Sequence, residues 1–370
     1  MVDLANQYDK IKPEIDSAIL AVLESTAFIN GPAVKQLEYK LGEYLGASKT
    51  IACGNGTDAL QIALMALDLE PGNEIIVPAF TYVACAEVIA LLKLKPVWVD
   101  VDAESFNINV NSLEKAITPQ TKALIVVHLF GQCADMETVG RIATEHNLFV
   151  IEDVAQSLGA EFIFADGSKK KAGTIGHIGC TSFFPSKILG CYGDGGAIFT
   201  NDQRLAEKLR MIANHGQKVK YYHEIIGVNS RLDSIQAAVL AVKLRYIDEY
   251  ILSRRQAADL YDNLLKSVTW LDTPHRSPYS SHVFHQYTLK LLETVNRDGL
   301  RKHLQEAGIP TMVYYPVALH QQNAFKEWQD NDNKLPVSEE LCKRVISLPI
   351  HTEMTADTIH YIAERIISFQ

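Results

Sequence analysis

Apolar residues recur at helical spacing over 12–26, where Ile15, Ile19, Val22 and Leu23 share one face, and this predicts an amphipathic helix. The stretch 28–32 (Phe-Ile-Asn-Gly-Pro) reads as a turn, and a second helix is expected over 34–45 with Leu37, Leu41 and Tyr44 inward. A strand-like piece over 50–53 runs into Gly54-Asn55-Gly56-Thr57-Asp58, and a helix starting there would present Leu60, Ile62, Leu64 and Met65. The pattern then changes. Residues 74–78, 96–101, 122–128 and 148–153 are near-continuous apolar runs, with helical patterns between several of them, one starting at Val83. Runs of this kind are strands buried on both faces, and their alternation with helices predicts an α/β fold whose sheet is largely parallel. Ligands of such sheets gather beyond the carboxyl ends of the strands. Gly56, Asp153 and Lys187 all follow such ends.

The second half reads differently. A long helix is expected over 234–264 with a break near Tyr250, followed by a strand at 283–292, a helix at 297–307, a strand at 311–316 and a helix at 356–368. This is the pattern of a smaller α+β layer, and a chain of 370 residues is long enough for a large domain over 1–249 and a small one over 250–370.

Charge and cysteine content narrow the classes. A net charge of −9 and an isoelectric point near 5.8 argue against a nucleic-acid partner. The cysteines at 53, 85, 133, 180, 191 and 342 form no C-x-x-C pair, so neither a disulfide framework nor a zinc site is expected, and reduced cytoplasmic thiols are. The start carries no signal-peptide pattern, and the apolar run at 84–92 is too short to span a bilayer, so a soluble protein is expected.

Candidate chemistry centres on Thr181-Ser182-Phe183-Phe184-Pro185-Ser186-Lys187, with a glycine-rich loop after it. A lysine in a partly apolar setting has a lowered pKa and, as the free amine, attacks a carbonyl; Ser182 can place a hydroxyl on the phosphate of whatever carries that carbonyl. Gly56, Thr57 and Asp58 open a helix whose amides suit an anion, or they form an ordinary capped turn. Asp153 can hold a protonated ring nitrogen, with Gln156 near a ring hydroxyl, or it can cap a helix. Tyr82 can stack on a flat ring or belong to the core. Asn229 and Arg231 precede the long helix, where an arginine can clamp a carboxylate or phosphate or lie in solvent.

In combination the motifs GNGTDAL, PAFTYVA, EDVAQSLGA, TSFFPSKILGCYGDGGA and GVNSRLDSIQAA resemble those of the pyridoxal-phosphate-dependent sugar aminotransferases of the DegT/DnrJ/EryC1/StrS group, from Asp3 to the C-terminus. The resemblance implies the aspartate-aminotransferase fold (fold type I) and pyridoxal 5′-phosphate as cofactor. It implies that Lys187 bonds the cofactor aldehyde and shuttles a proton, that Asp153 pairs with the ring nitrogen, and that Gln156 and Tyr82 contact the ring. Ser182 and the amides of Gly56, Thr57 and Asp58 would hold the phosphate. Asn229 would reach the cofactor phosphate of a neighbouring subunit and Arg231 the neighbour's substrate, making a homodimer with shared sites. Tyr314, Tyr315 and His320 match a segment lining the sugar pocket. Within the group the wording is most similar to enzymes that aminate UDP-2-acetamido-3-oxo-glucuronate for O-antigen and related polysaccharides, with L-glutamate as donor; those enzymes carry His where this chain has Tyr314. A dTDP-linked 3-oxo or 4-oxo-6-deoxyhexose is the alternative substrate. A sugar dehydratase would carry His in place of Lys187, and a non-enzymatic regulator would not need the lysine, Asp153 and phosphate loop together.

Overall fold

A computed structural model describes residues 1–329 and 334–369. Helix α1 (Leu4–Ser25) is capped by Asp3, whose carboxylate accepts from the Asn6 amide, and it ends at Thr26 in the left-handed region. It begins earlier than the apolar stripe suggested because Gln7 and Ile11 are also buried, and the helix runs through Pro13. Leu23, expected inward, is exposed. Helix α2 (Pro32–Leu45) starts on a proline, which loses no hydrogen bond there, and stops at Gly46.

The chain then alternates: β1 (Lys49–Cys53), α3 (Gly56–Met65), β2 (Glu74–Pro78), α4 (Ala84–Leu91), β3 (Lys95–Val99), α5 (Val110–Lys115), β4 (Thr121–Val127), α6 (Met136–Glu145) and β5 (Phe149–Asp153). A small hairpin, β6 (Glu161–Ile163) and β7 (Lys169–Lys171), precedes β8 (Ile178–Ser182) and β9 (Gly196–Thr200), and α7 (Gln203–Ala213) leads to a second hairpin, β10 (Gln217–Val219) and β11 (Tyr222–His223). The central sheet has seven strands in the order β1-β9-β8-β5-β4-β2-β3. Only β9 runs against its neighbours; the rest point one way. The alternation along β4 explains why both faces are covered. Ala123, Ile125 and Val127 enter one core with α3 and α4, and Leu124 and Val126 enter another with α2, α6 and α8 (Ser234–Lys243).

After α8 a 3-10 turn at Leu244–Tyr246 leads into α9 (Ile247–Leu265). The break therefore falls before Tyr250, which lies inside α9. Leu244, Ile247 and Ile251 still pack on the sheet's core, whereas Ala257, Ala258, Tyr261 and Leu265 belong to a third core, and the tight turn sets this change of neighbours. That third core surrounds an antiparallel sheet of β12 (Leu271–Asp272), β13 (Tyr287–Leu291) and β14 (Val345–Leu348), flanked by α10 (Arg297–Glu306), α11 (Pro336–Arg344) and α12 (Ala356–Ile367).

The expected strand at 311–316 does not form. Met312 makes a single bridge to Ser347, and the chain then leaves the small sheet. Two contacts hold it to the large sheet instead: the Leu319 amide donates to the Ala79 carbonyl, and the Tyr315 hydroxyl accepts from Gln156. All six cysteines are free and buried. Among the described residues no helix is long and apolar enough to cross a membrane.

Candidate active site

The carboxyl ends of β1, β2, β5 and β8 meet at one edge of the sheet, and each delivers a candidate group. Beyond β1, Asn55 caps α3: its side-chain oxygen accepts from the Asp58 amide at 2.8 Å. Of the three amides expected to hold an anion, that of Asp58 is thus already engaged, and those of Gly56 and Thr57 remain at the helix start. The Asp58 carboxylate instead accepts from the Ser230 hydroxyl (2.6 Å), and the Gly54 amide donates to the same Ser230 oxygen (2.9 Å). Residues 229–231 are thereby fastened behind the loop, with Asn229 exposed and Arg231 half-buried and in no ion pair among the described residues.

Gly56 is required by close approach. A Cβ there would lie 2.7 Å from the Cβ of Ser182 at the end of β8. The first amides of α3 and the Ser182 hydroxyl therefore share one narrow cradle. The Ser182 oxygen accepts from the Phe184 amide at 3.2 Å, which leaves its proton free to donate.

Asp153 ends β5 and is buried. Its Oδ1 accepts from the Ala155 amide at 2.9 Å and its Oδ2 from the Cys85 thiol at 3.1 Å. The residue before it faces the other side of the sheet. Glu152 is fully buried and accepts from His128 Nε2 and from the amides of Gly173, Ile175 and Gly176, while His128 Nδ1 accepts from the Ala134 amide. That acceptor role puts the ring hydrogen on Nε2. Burial alone would raise the pKa of Glu152, but His128 and the amides outweigh it and the net shift is downward. This knot fixes the strand end that presents Asp153.

Lys187 follows β8 on a turn closed by its own amide donating to the Phe184 carbonyl. Its amine has no hydrogen-bond or ion-pair partner among the described residues. Burial lowers its pKa, opposed by the charge of Asp153, so the free amine is more populated than in an exposed lysine. Gln156 is held at both ends: its Oε1 accepts from the Phe130 amide at 2.7 Å and its Nε2 donates to the Tyr315 hydroxyl at 3.1 Å. Tyr82 is 56% exposed at the mouth, with its ring 6.4 Å from that of Tyr315, so it offers an open aromatic face. Tyr314 is half-buried. His320 pairs through Nε2 with Glu339 at 3.3 Å and leaves Nδ1 buried without a partner among the described residues.

A sequence model of the DegT/DnrJ/EryC1/StrS aminotransferase family matches residues 9–367. The chain belongs to this family. It is 47% identical over 98% of its length, and 97% of the relative's, to the UDP-2-acetamido-2-deoxy-3-oxo-D-glucuronate aminotransferase of Pseudomonas aeruginosa. It is 45% identical over its whole length, and 98% of the relative's, to a pleiotropic regulatory protein of Geobacillus stearothermophilus. The crystal structure of a DegT DnrJ EryC1 StrS aminotransferase from Brucella abortus superposes with a TM-score of 0.94 at 42% identity, covering 99% of this chain and 98% of that one. The protein is a fold-type-I aminotransferase that uses pyridoxal 5′-phosphate.

The residues present fit that cofactor. A desolvated amine without a partner suits an aldehyde, a cradle too tight for a Cβ and lined by a free hydroxyl proton suits a phosphate, and a buried carboxylate suits a ring nitrogen. The structure also brings in groups that the sequence reading passed over. Cys85 lies one helical turn after Tyr82, and that spacing was its available signal. His285, buried with Nδ1 unpartnered among the described residues, has its pKa driven well down by burial and by the charges of Lys187 and Arg254. No local signal pointed to it, because it lies just before β13, remote in sequence from Lys187.

Proposed function

We propose that this transaminase moves the amino group of L-glutamate onto the 3-oxo carbon of a UDP-sugar, UDP-2-acetamido-2-deoxy-3-oxo-glucuronate, in the assembly of an O-antigen or similar surface polysaccharide. The reaction is supported by one observation, a Lys187 amine whose pKa burial lowers and which feels the Asp153 charge, at the sheet edge where Gly56 and Ser182 also approach each other. The choice of sugar is supported by the 47% identity to the P. aeruginosa enzyme. The relative named as a regulator makes the intact site the deciding argument for chemistry.

The roles follow from the chemistry of each group. Bound cofactor supplies an aldehyde that takes up the donor's amino group and a ring that withdraws electrons. Gly56, Thr57 and Ser182 bind its phosphate, and the Asp58 carboxylate braces their loop through Ser230. Asp153 holds the ring nitrogen's proton, Tyr82 covers the ring, and Gln156 borders its hydroxyl. Lys187 Nζ, uncharged more readily than usual, would take a proton from one carbon and deliver it to another. Arg231 takes the uronate carboxylate, and Tyr314, Tyr315 and His320 line the sugar pocket. The active form is a cytoplasmic homodimer in which Asn229 and Arg231 serve the partner's site, and the chain divides into a large domain over 1–249 and a small one over 250–370.

The test is a panel of UDP- and dTDP-linked 3-oxo and 4-oxo sugars with glutamate, read by mass spectrometry. Amination of the 3-oxo uronate with release of 2-oxoglutarate is expected. Turnover confined to dTDP-6-deoxyhexoses would refute the assignment; the tyrosine at 314 is the residue that favours that second reading. Arg231→Ala should raise KM for the uronate sugar far more than for a neutral one, and unchanged uronate kinetics would remove Arg231 from the pocket.

A further inference from the structure

The carboxylate of Asp153 is held from two sides, and one of its donors is unusual. The Ala155 amide reaches Oδ1 from two residues along the chain, which is a local turn contact. The other donor comes from across the sheet. Cys85, the second residue of α4, is fully buried, and its sulfur lies 3.1 Å from Oδ2. Tyr82 stands one turn earlier at the mouth of the site, so one helix start carries both the exposed aromatic face and the thiol beneath it. The buried Thr81 hydroxyl lies next to the sulfur.

We propose that Cys85 is a positioning residue for the transamination: its thiol donates to Asp153 Oδ2 and fixes the plane of the carboxylate opposite the ring nitrogen. The proposal rests on the reading that Asp153 faces that nitrogen. Three physical points support it. The thiol stays protonated, because burial and the nearby Asp153 charge drive its pKa well up, so it is a donor and never a competing anion. A sulfur donor is weak, so it orients the acid without withdrawing it from the ring. A carboxylate held at both oxygens keeps one orientation, so its remaining lone pairs stay aimed at the ring nitrogen, where the electron-withdrawing role needs an acceptor. Cys85 packs within the apolar core of the large sheet, yet its sulfur is turned to a carboxylate oxygen at hydrogen-bond distance.

The test uses infrared spectroscopy of the cofactor-free protein together with kinetics of the holoenzyme. The wild-type minus Cys85→Ala difference spectrum isolates one S–H stretching band among six thiols. A band displaced to low wavenumber is expected, returning to the position of an unbonded thiol in Asp153→Ala. In the holoenzyme, Cys85→Ala should lose about threefold to tenfold in kcat, the scale of one weak hydrogen bond, with KM for both substrates held. The signal of a 15N-labelled ring nitrogen should move toward the unprotonated form, and Cys85→Ser, which restores a donor, should recover both readouts. An unbonded band in the wild type overturns the proposal, and so does a Cys85→Ala enzyme with unaltered kcat and ring-nitrogen signal. Full turnover in Asp153→Ala would instead overturn the reading of Asp153 and take the proposal with it. The S–H band separates the two failures, since it reports the contact without cofactor. If Cys85→Ala does not fold, Cys85→Ser against wild type supplies the same band comparison.

Discussion

Gly56→Ala tests the cradle directly. The backbone at Gly56 needs no unusual dihedral angle, so an alanine meets only a steric obstacle: its Cβ would lie 2.7 Å from the Cβ and 3.2 Å from the Cα of Ser182. Neither atom is the end of a flexible chain, so α3 and β8 must separate. Forcing an extra methyl into a packed site costs about 1–3 kcal/mol. In the cofactor-free protein the start of α3 can give way, and the melting temperature should fall by no more than about 3 °C. Binding a phosphate needs the amides of Gly56 and Thr57 and the Ser182 hydroxyl together, so the separation must be reversed and the cost appears in affinity. The expected weakening of pyridoxal phosphate binding is roughly 5-fold to 150-fold, measured by absorbance titration or equilibrium dialysis. Gly140→Ala is the control, since a Cβ there meets nothing within 4 Å in the middle of α6. It should leave affinity alone and add about 0.5–1 kcal/mol of stability. Unchanged cofactor affinity in Gly56→Ala would refute the shared cradle, whatever happened to stability.

Three further outcomes follow from other parts of the site. Ser182→Ala removes the free hydroxyl proton and should weaken cofactor binding by about tenfold or more, with the melting temperature of the cofactor-free form nearly unchanged; equal affinity would place the phosphate elsewhere. Glu152→Gln sets an NH2 against two of the donors that Glu152 now accepts from, and should cost about 3–5 kcal/mol in denaturant unfolding. A loss under 1 kcal/mol would mean that the knot behind β5 is not structural. Lys243 is buried in α8, donates to the Gly190 carbonyl at 2.6 Å, and burial pulls its pKa from 10.5 to about 8. Below pH 8 both states carry the proton, and between pH 8 and 10.5 only the unfolded chain does. The folded state therefore gains stability relative to a Lys243→Met variant as pH rises through that window, by on the order of 3 kcal/mol. Parallel stability curves for the two proteins would show that the amine is not desolvated.

The large sheet was legible because its evidence is local. Strands buried on both faces are written as unbroken apolar runs, and β2, β4 and β5 lie within a residue of where those runs place them. The grouping of Gly56, Asp153, Ser182 and Lys187 was legible for a related reason. In a parallel sheet every strand ends at the same edge, so residues following strands must be neighbours. The segment 311–316 was misjudged because its apolar residues have the strand pattern for a different purpose. Tyr315 packs against Gln156 and Phe80, just past the ends of β5 and β2, and among the described residues no partner strand is beside it.

What the sequence determined alone is the alternation of strands and helices that builds the large parallel sheet, and the family, since each depends on residue type and spacing along the chain. Tertiary structure alone decided which oxygen of Asp153 meets the Cys85 thiol, that the Asp58 amide is taken by Asn55 while its carboxylate holds Ser230, and that His285 feels the charge of Lys187. These contacts join residues as much as 172 positions apart. Their energies depend on ångström distances and on the exclusion of water, and a one-dimensional pattern encodes neither.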